Sequence, residues 1–104
     1  MSESQLIHRA EQNRFELTEK GHTAFLTYSR RPGSIRLVHT EVPPELQGGG
    51  VGSRLVAGTL QYARNNGLTV VPQCKFVIRY LRRHPEYLDT VGPEYRHVSG
   101  DRSE

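Results

Sequence analysis

The strongest chemical signal in this chain is the run Gln47-Gly48-Gly49-Gly50-Val51-Gly52-Ser53. Glycine has no Cβ, so its backbone can approach a ligand closely and can adopt positive φ. Where such a run leads into a helix, its N–H groups converge at the positive end of the helix dipole. The group held there is an anion, most often a phosphate. A plain surface loop has no need of four glycines within positions 48 to 52 at a strand-to-helix junction. Ser53 and Arg54 follow directly and offer a hydroxyl and a guanidinium to the same anion; their ordinary roles are a helix cap and a solvated charge. The second signal is Cys74, the single cysteine. It falls at the start of a predicted helix, where the dipole favours thiolate, with Lys75 beside it and Arg79 one turn on. A free cysteine is also commonly a small inert core residue. His39 and Glu41 are titratable groups two positions apart and suited to proton transfer. Their ordinary roles are a hydrogen-bonded sheet residue and a solvated ion-pair partner.

The elements around these residues follow from periodicity. Phe15 and Leu17, then Ala24, Leu26 and Tyr28, alternate with polar residues and read as antiparallel strands. Glu19-Lys20-Gly21 and Arg31-Pro32-Gly33-Ser34 supply the turns. A third strand runs from Ile35 to Val42, with Ile35, Leu37, His39 and Glu41 on one face and Val38, Thr40 and Val42 on the other. Pro43-Pro44 ends it. After the glycines, Leu55, Val56, Leu60 and Ala63 follow helical spacing, giving a helix from Arg54 to Asn66 with Gly67 at its left-handed cap. Leu68 to Val71 is a short strand. A second helix spans about Cys74 to Arg83, limited by Pro85. Residues 1–92 form one domain, and 93–104 are a polar tail without periodicity. The expected fold class is α/β: a mixed, mostly antiparallel sheet with two main helices, parallel where the first helix crosses over.

Two familiar phosphate loops are excluded. The P-loop requires Gly-Lys-Ser/Thr, and no lysine follows these glycines. The dinucleotide fingerprint requires a glycine where Ser53 stands, and the loop follows hairpins rather than opening a βαβ unit. Gln47-x-x-Gly50-x-Gly52 resembles instead the Gln/Arg-x-x-Gly-x-Gly/Ala loop of the GNAT superfamily of acetyltransferases. His39-Thr40-Glu41-Val42-Pro43-Pro44, Val71-Pro72-Gln73-Cys74 and Tyr80-Leu81-Arg82-Arg83-His84-Pro85 sharpen the likeness to the small stand-alone members of that superfamily. The resemblance covers about residues 6 to 90.

This resemblance implies a GNAT-like fold with a β-splay and acetyl-CoA as the donor. The pyrophosphate would lie on Gln47, Gly48, Gly49, Gly50, Val51, Gly52 and Ser53, and the pantetheine arm along Thr40, Glu41 and Val42. The second helix contributes cofactor contacts, here Cys74, Tyr80 and Arg83. Tyr80, seven residues after Gln73, matches the position of a tyrosine general acid, although a packed helix aromatic is its ordinary role. Where many members carry asparagine, this chain carries Gln73. Beside a thioester, the Cys74 thiolate is a candidate acetyl carrier, and His39 or Glu41 a candidate base for an amine. Arg79, Arg82 and Arg83 offer charge to the CoA 3′-phosphate or simply face water. Longer members shape the acceptor site with additional N-terminal helices and final strands, so the resemblance leaves the amine unspecified.

Composition bounds the alternatives. The chain has 104 residues, 35% hydrophobic and 24% charged, with formal net charge +3. That suits a single soluble domain, and the charge is too mild and too scattered for a nucleic-acid binder. No apolar stretch is long enough to span a membrane, and no secretory signal stands at the N-terminus, so a cytoplasmic location is expected. A lone cysteine fits a reducing compartment and, with His8, His22, His84 and His97 at no ligand spacing, makes a metal site improbable. Two functions compete. One is an acetyl-CoA-dependent N-acetyltransferase acting directly or through Cys74. The other is a non-catalytic acyl-CoA-binding module.

Overall fold

The computed structural model describes residues 5–93 and 95. Its centre is one five-stranded sheet in the order β1 (Gln5–Arg9), β2 (Arg14–Glu19), β3 (His22–Arg31), β4 (Ser34–Glu41) and β5 (Thr69–Pro72). The first four strands are antiparallel neighbours, and β4 and β5 are parallel. Helix α1 (Val51–Asn65) makes the crossover, and α2 (Lys75–Arg83) follows β5. A 3-10 turn, Pro85–Thr90, then leads to Val91, which bridges to Val70. The expected α/β fold with a mostly antiparallel sheet and two helices is the one observed.

Alternation builds the core as the sequence requires. Phe15 and Leu17, then Ala24, Leu26 and Tyr28, then Ile35 and Leu37, point to the same side and are buried. Val51, Leu55, Val56, Leu60 and Ala63 of α1, with Val77 and Leu81 of α2, close over them in one cluster. Fully burying a leucine in such a layer contributes about 1.5–3 kcal/mol. The opposite face of the sheet carries Arg14, Phe25 and His39. The Arg14 guanidinium lies 4.0 Å from the Phe25 ring centre, and the Phe25 and His39 rings are 6.1 Å apart.

Three boundaries differ from the sequence reading. A further edge strand, β1, precedes the three marked by periodicity; it is only five residues long and carries no clean alternation. Helix α1 begins at Val51, inside the glycine run, because Gly50 takes φ +82° as its N-cap and buried Val51 anchors the first turn. Cys74 is the N-cap of α2 rather than a member of it. The expected tail from 93 falls largely on residues outside the described set.

The most consequential difference lies in β4. Thr27 pairs with His39 but Tyr28 pairs with Leu37, so Val38 has no partner on β3. This extra residue is a β-bulge, and it reverses the side-chain phase of the strand. Ile35 and Leu37 face the core, but beyond the bulge Thr40 takes the core side. His39 and Glu41 stand exposed on the other face, with Val38 44% exposed. The expectation that Ile35, Leu37, His39 and Glu41 share a face is therefore corrected.

Candidate functional site

The bulge also marks where β4 and β5 part. Parallel pairing runs from Ser34–Thr69 to Leu37–Pro72, whereas β4 continues to Glu41. Beyond Pro72, the N–H groups of Gln73 and Cys74 both donate to the Leu37 carbonyl, at 3.0 and 3.1 Å, and the chain turns into α2. Residues 39–41 thus ladder to β3 on one side only, and Val38 bulges from the strand. Their other backbone edge faces the gap that the sequence reading expected as a splay.

At the end of that gap stands the N-terminus of α1. The first four N–H groups of a helix have no acceptor within it. Here Gly50 has no side chain to cap them, and the first turn holds no acidic residue. A Cβ built on Gly48 or Gly50 would meet nothing within 4 Å, so open space lies over the loop. Gln47 folds back, its Nε2 donating to the Val42 carbonyl at 3.1 Å, and Gly49 N–H bonds the Leu46 carbonyl at 3.4 Å. These bonds fix the approach from β4 into the helix. Arg54 is held between loop and sheet: its Nε donates to the Gly50 carbonyl at 3.4 Å and its Nη2 bonds Glu19 of β2 at 2.6 Å.

A cleft of about 660 Å³ occupies this region, lined by strand end, loop and helix start together with Phe76 and Arg83. Of the residues expected to bind a donor, Thr40, Glu41, Val42, Gln47, Gly48, Gly50, Val51, Gly52, Ser53 and Arg83 line it, and Gly49 does not. A second cavity of about 220 Å³ adjoins it between α1 and α2, and Ser53, Phe76 and Arg83 line both. Tyr80 belongs to this second cavity. Its burial, then neighbouring Tyr87 and Glu86, push its hydroxyl above the usual tyrosine range, so it remains a proton donor at neutral pH.

Cys74 lines neither cavity, yet it sits against the cleft wall. It is 8% exposed, and its Sγ donates to Thr40 Oγ1 at 3.4 Å. His39 and Glu41 hydrogen-bond each other at 3.1 Å and are both well exposed. His39 lies on the sheet face away from Thr40 and Cys74. Phe76 was missed as a site residue. It reads as one more apolar helix position, and only its contact with Gly52 reveals its place: a Cβ on Gly52 would lie 2.3 Å from the tip of the Phe76 ring. The only legible signal was that Phe76, Tyr80 and Arg83 fall at helical spacing.

The chain matches the family model described as GCN5-related N-acetyltransferase over residues 14–91. It belongs to that family. Among solved structures it is similar to the NMR structure of a GCN5-like candidate N-acetyltransferase from Staphylococcus aureus, at 31% identity and a TM-score of 0.69. The match covers 93% of this chain and 97% of that one. The GNAT fold, with its helix-capping glycine loop and parted strands, accounts for the cleft seen here. Acetyl-CoA is the usual donor of GCN5-related N-acetyltransferases.

Proposed function

We propose that the protein is an acetyl-CoA-dependent N-acetyltransferase whose acetyl group passes through Cys74. The observation that carries this reading is the continuous cleft from the half-paired end of β4 to the uncapped start of α1. The backbone edge at 38–41 suits the amides of a pantetheine arm, and the N–H groups of Gly50, Val51, Gly52 and Ser53 suit a pyrophosphate. The bound donor supplies a thioester-activated acetyl group.

Cys74 is favoured as the acceptor of that group over direct transfer to an amine. Its sulfur touches Thr40, a residue of the cleft wall, whereas His39 projects from the other face of the sheet. Attack by Cys74 Sγ forms a new S–C bond as the bond to the CoA sulfur breaks, and the thiol proton passes to the departing sulfur. The amine then attacks this acyl-cysteine, receives the acetyl group and returns a proton to Sγ. Glu41, which lines the cleft and hydrogen-bonds His39, suits the base that takes the proton from an incoming ammonium.

Intact-mass measurement after mixing with acetyl-CoA tests the covalent step. One acetyl adduct is expected on the native protein and none on Cys74→Ala. An adduct persisting in Cys74→Ala would exclude Cys74 as the carrier. Donor binding by both proteins with no transfer to any amine would instead favour a non-catalytic acyl-CoA-binding module.

A further inference from the structure

Thr40 holds two positions at once. It lines the larger cleft, and its Oγ1 accepts the hydrogen bond from Cys74 Sγ at 3.4 Å. Cys74 itself lines neither cavity. The Thr40 hydroxyl therefore links a nearly buried sulfur to the space that suits the donor. Backbone bonds fix both partners. The extra Val38 sets Thr40 on the core side of β4, opposite Leu26. Cys74 N–H donates to the Leu37 carbonyl at 3.1 Å, and the Cys74 carbonyl accepts from Ile78 N–H at 3.0 Å. The contact thus crosses the mouth of the splay between two anchored segments.

Transfer to Cys74 leaves a proton to be moved. The thiol must lose one, and the departing CoA sulfur must gain one. A hydroxyl is donor and acceptor together, and its hydrogen rotates to suit its partners. We propose that Thr40 is a catalytic residue that relays this proton. As Cys74 Sγ bonds the acetyl carbon, its proton passes to Thr40 Oγ1. As the bond from that carbon to the CoA sulfur breaks, the original Thr40 hydroxyl proton passes to that sulfur. The hydroxyl is regenerated, and no further reactant is consumed. The proposal rests on the reading of Cys74 as the acetyl carrier. It gives the acid role to a strand hydroxyl rather than to Tyr80, which lines the smaller cavity between α1 and α2.

Two electrophiles separate a relay from a structural role. Iodide leaves without a proton, so iodoacetamide needs the Cys74 sulfur but no acid. The departing CoA sulfur needs both. Intact-mass time courses on the full chain follow each adduct. Thr40→Val keeps the branched shape and removes the hydroxyl. At saturating acetyl-CoA it should gain the acetyl group about a hundredfold more slowly than the native protein, the scale of general acid–base help. Iodoacetamide should alkylate it at the native rate. Thr40→Ala should repeat this split, and Thr40→Ser, which restores the hydroxyl, should recover most of the acetylation rate. Equal acetylation of the native protein and Thr40→Val would overturn the relay. So would a parallel change in alkylation in both hydroxyl-free variants, or a hundredfold loss in Tyr80→Phe while Thr40→Val reacts normally. A native protein that is alkylated but never acetylated would instead overturn the carrier reading of Cys74, and the relay with it.

Discussion

The two ends of α1 are built on opposite rules. At the C-terminus backbone and side-chain bonds close the last turn. Leu68 N–H bonds the Ala63 carbonyl at 2.8 Å and Gly67 N–H bonds that of Arg64 at 3.3 Å, the paired closure of a Schellman motif. Asn66 Nδ2 bonds the Tyr62 carbonyl, and Arg64 pairs with Asp89. Around the last turns, His8 stacks 4.2 Å from Phe15, meets Tyr62 edge-on and hydrogen-bonds the Tyr28 hydroxyl at 2.5 Å. At the N-terminus the helix has no side-chain cap, and space lies open above the glycines that precede it. One helix thus spends its hydrogen-bonding capacity on stability at one end and reserves it for a ligand at the other.

Glycine substitutions at the two ends give the largest test of this contrast. Gly50 sits at φ +82° and Gly67 at φ +65°. Both positions disfavour a side chain, by about 1–2 kcal/mol for left-handed backbone. Gly50→Val should also lower CoA affinity about a hundredfold, through loss of two or more charge-assisted N–H contacts. Gly67→Ala should lower the melting temperature and leave that affinity unchanged. Calorimetry and thermal melts on both variants read the difference, and parallel losses of affinity would dissolve it.

A smaller effect comes from glycines that allow close approach. A Cβ on Gly52 would stand 2.3 Å from the Phe76 ring, and one on Gly58 would stand 2.3 Å from Leu6 Cδ2. Gly52→Ala must displace a ring that walls both cavities, so a loss of CoA affinity of about tenfold is expected along with overpacking of about 1–3 kcal/mol. Gly58→Ala displaces the flexible end of a side chain on an edge strand. It should cost less stability and no affinity. An unchanged donor titration in Gly52→Ala would remove Phe76 from the site.

The smallest effect is a pH dependence confined to the satisfied end. Burial first, then Arg30, hold the His8 pKa below its ordinary value, and Glu11 opposes them weakly. The unfolded chain therefore binds the proton more readily. The stability His8 contributes is complete above about pH 6.5 and is lost as the pH falls through its lower folded value. Tyr28, Tyr62 and Phe15, the other groups around the ring, carry no charge in that range. Melting temperatures measured from about pH 8 to about pH 5 should decline more steeply in the native protein than in His8→Leu. Identical slopes would show that the cluster does not sense protons.

Much of this was legible in the residues. The alternation of Phe15, Leu17, Ala24 and Leu26 marks the sheet face, and the glycine spacing marks the anion end of α1. Asn65-Asn66-Gly67 marks the helix stop. What escaped depends on contacts distant in sequence. Whether β4 holds its phase past Leu37 is decided by pairing with Thr27 and Tyr28, and nothing in Val38 announces a bulge. β1 is held by His8 against Phe15 and Tyr62 rather than by any pattern of its own. The role of Phe76 depends on the absence of a side chain at Gly52, twenty-four positions earlier. Cys74 reads as a helix-start cysteine, but its link to the cleft is a contact with Thr40 across the splay.

The unpaired Val38 makes the parity of β4 a property of its length. Deleting this one residue would restore unbroken alternation with Leu37 and Thr40 still inward and His39 and Glu41 still outward, whereas straightening the strand with Val38 retained would turn His39 and Glu41 inward among leucines and throw Thr40 out to solvent, so that Cys74 would lose its neighbour. The faces that His39, Thr40 and Glu41 present are therefore set by one supernumerary residue before them and not by their own side chains.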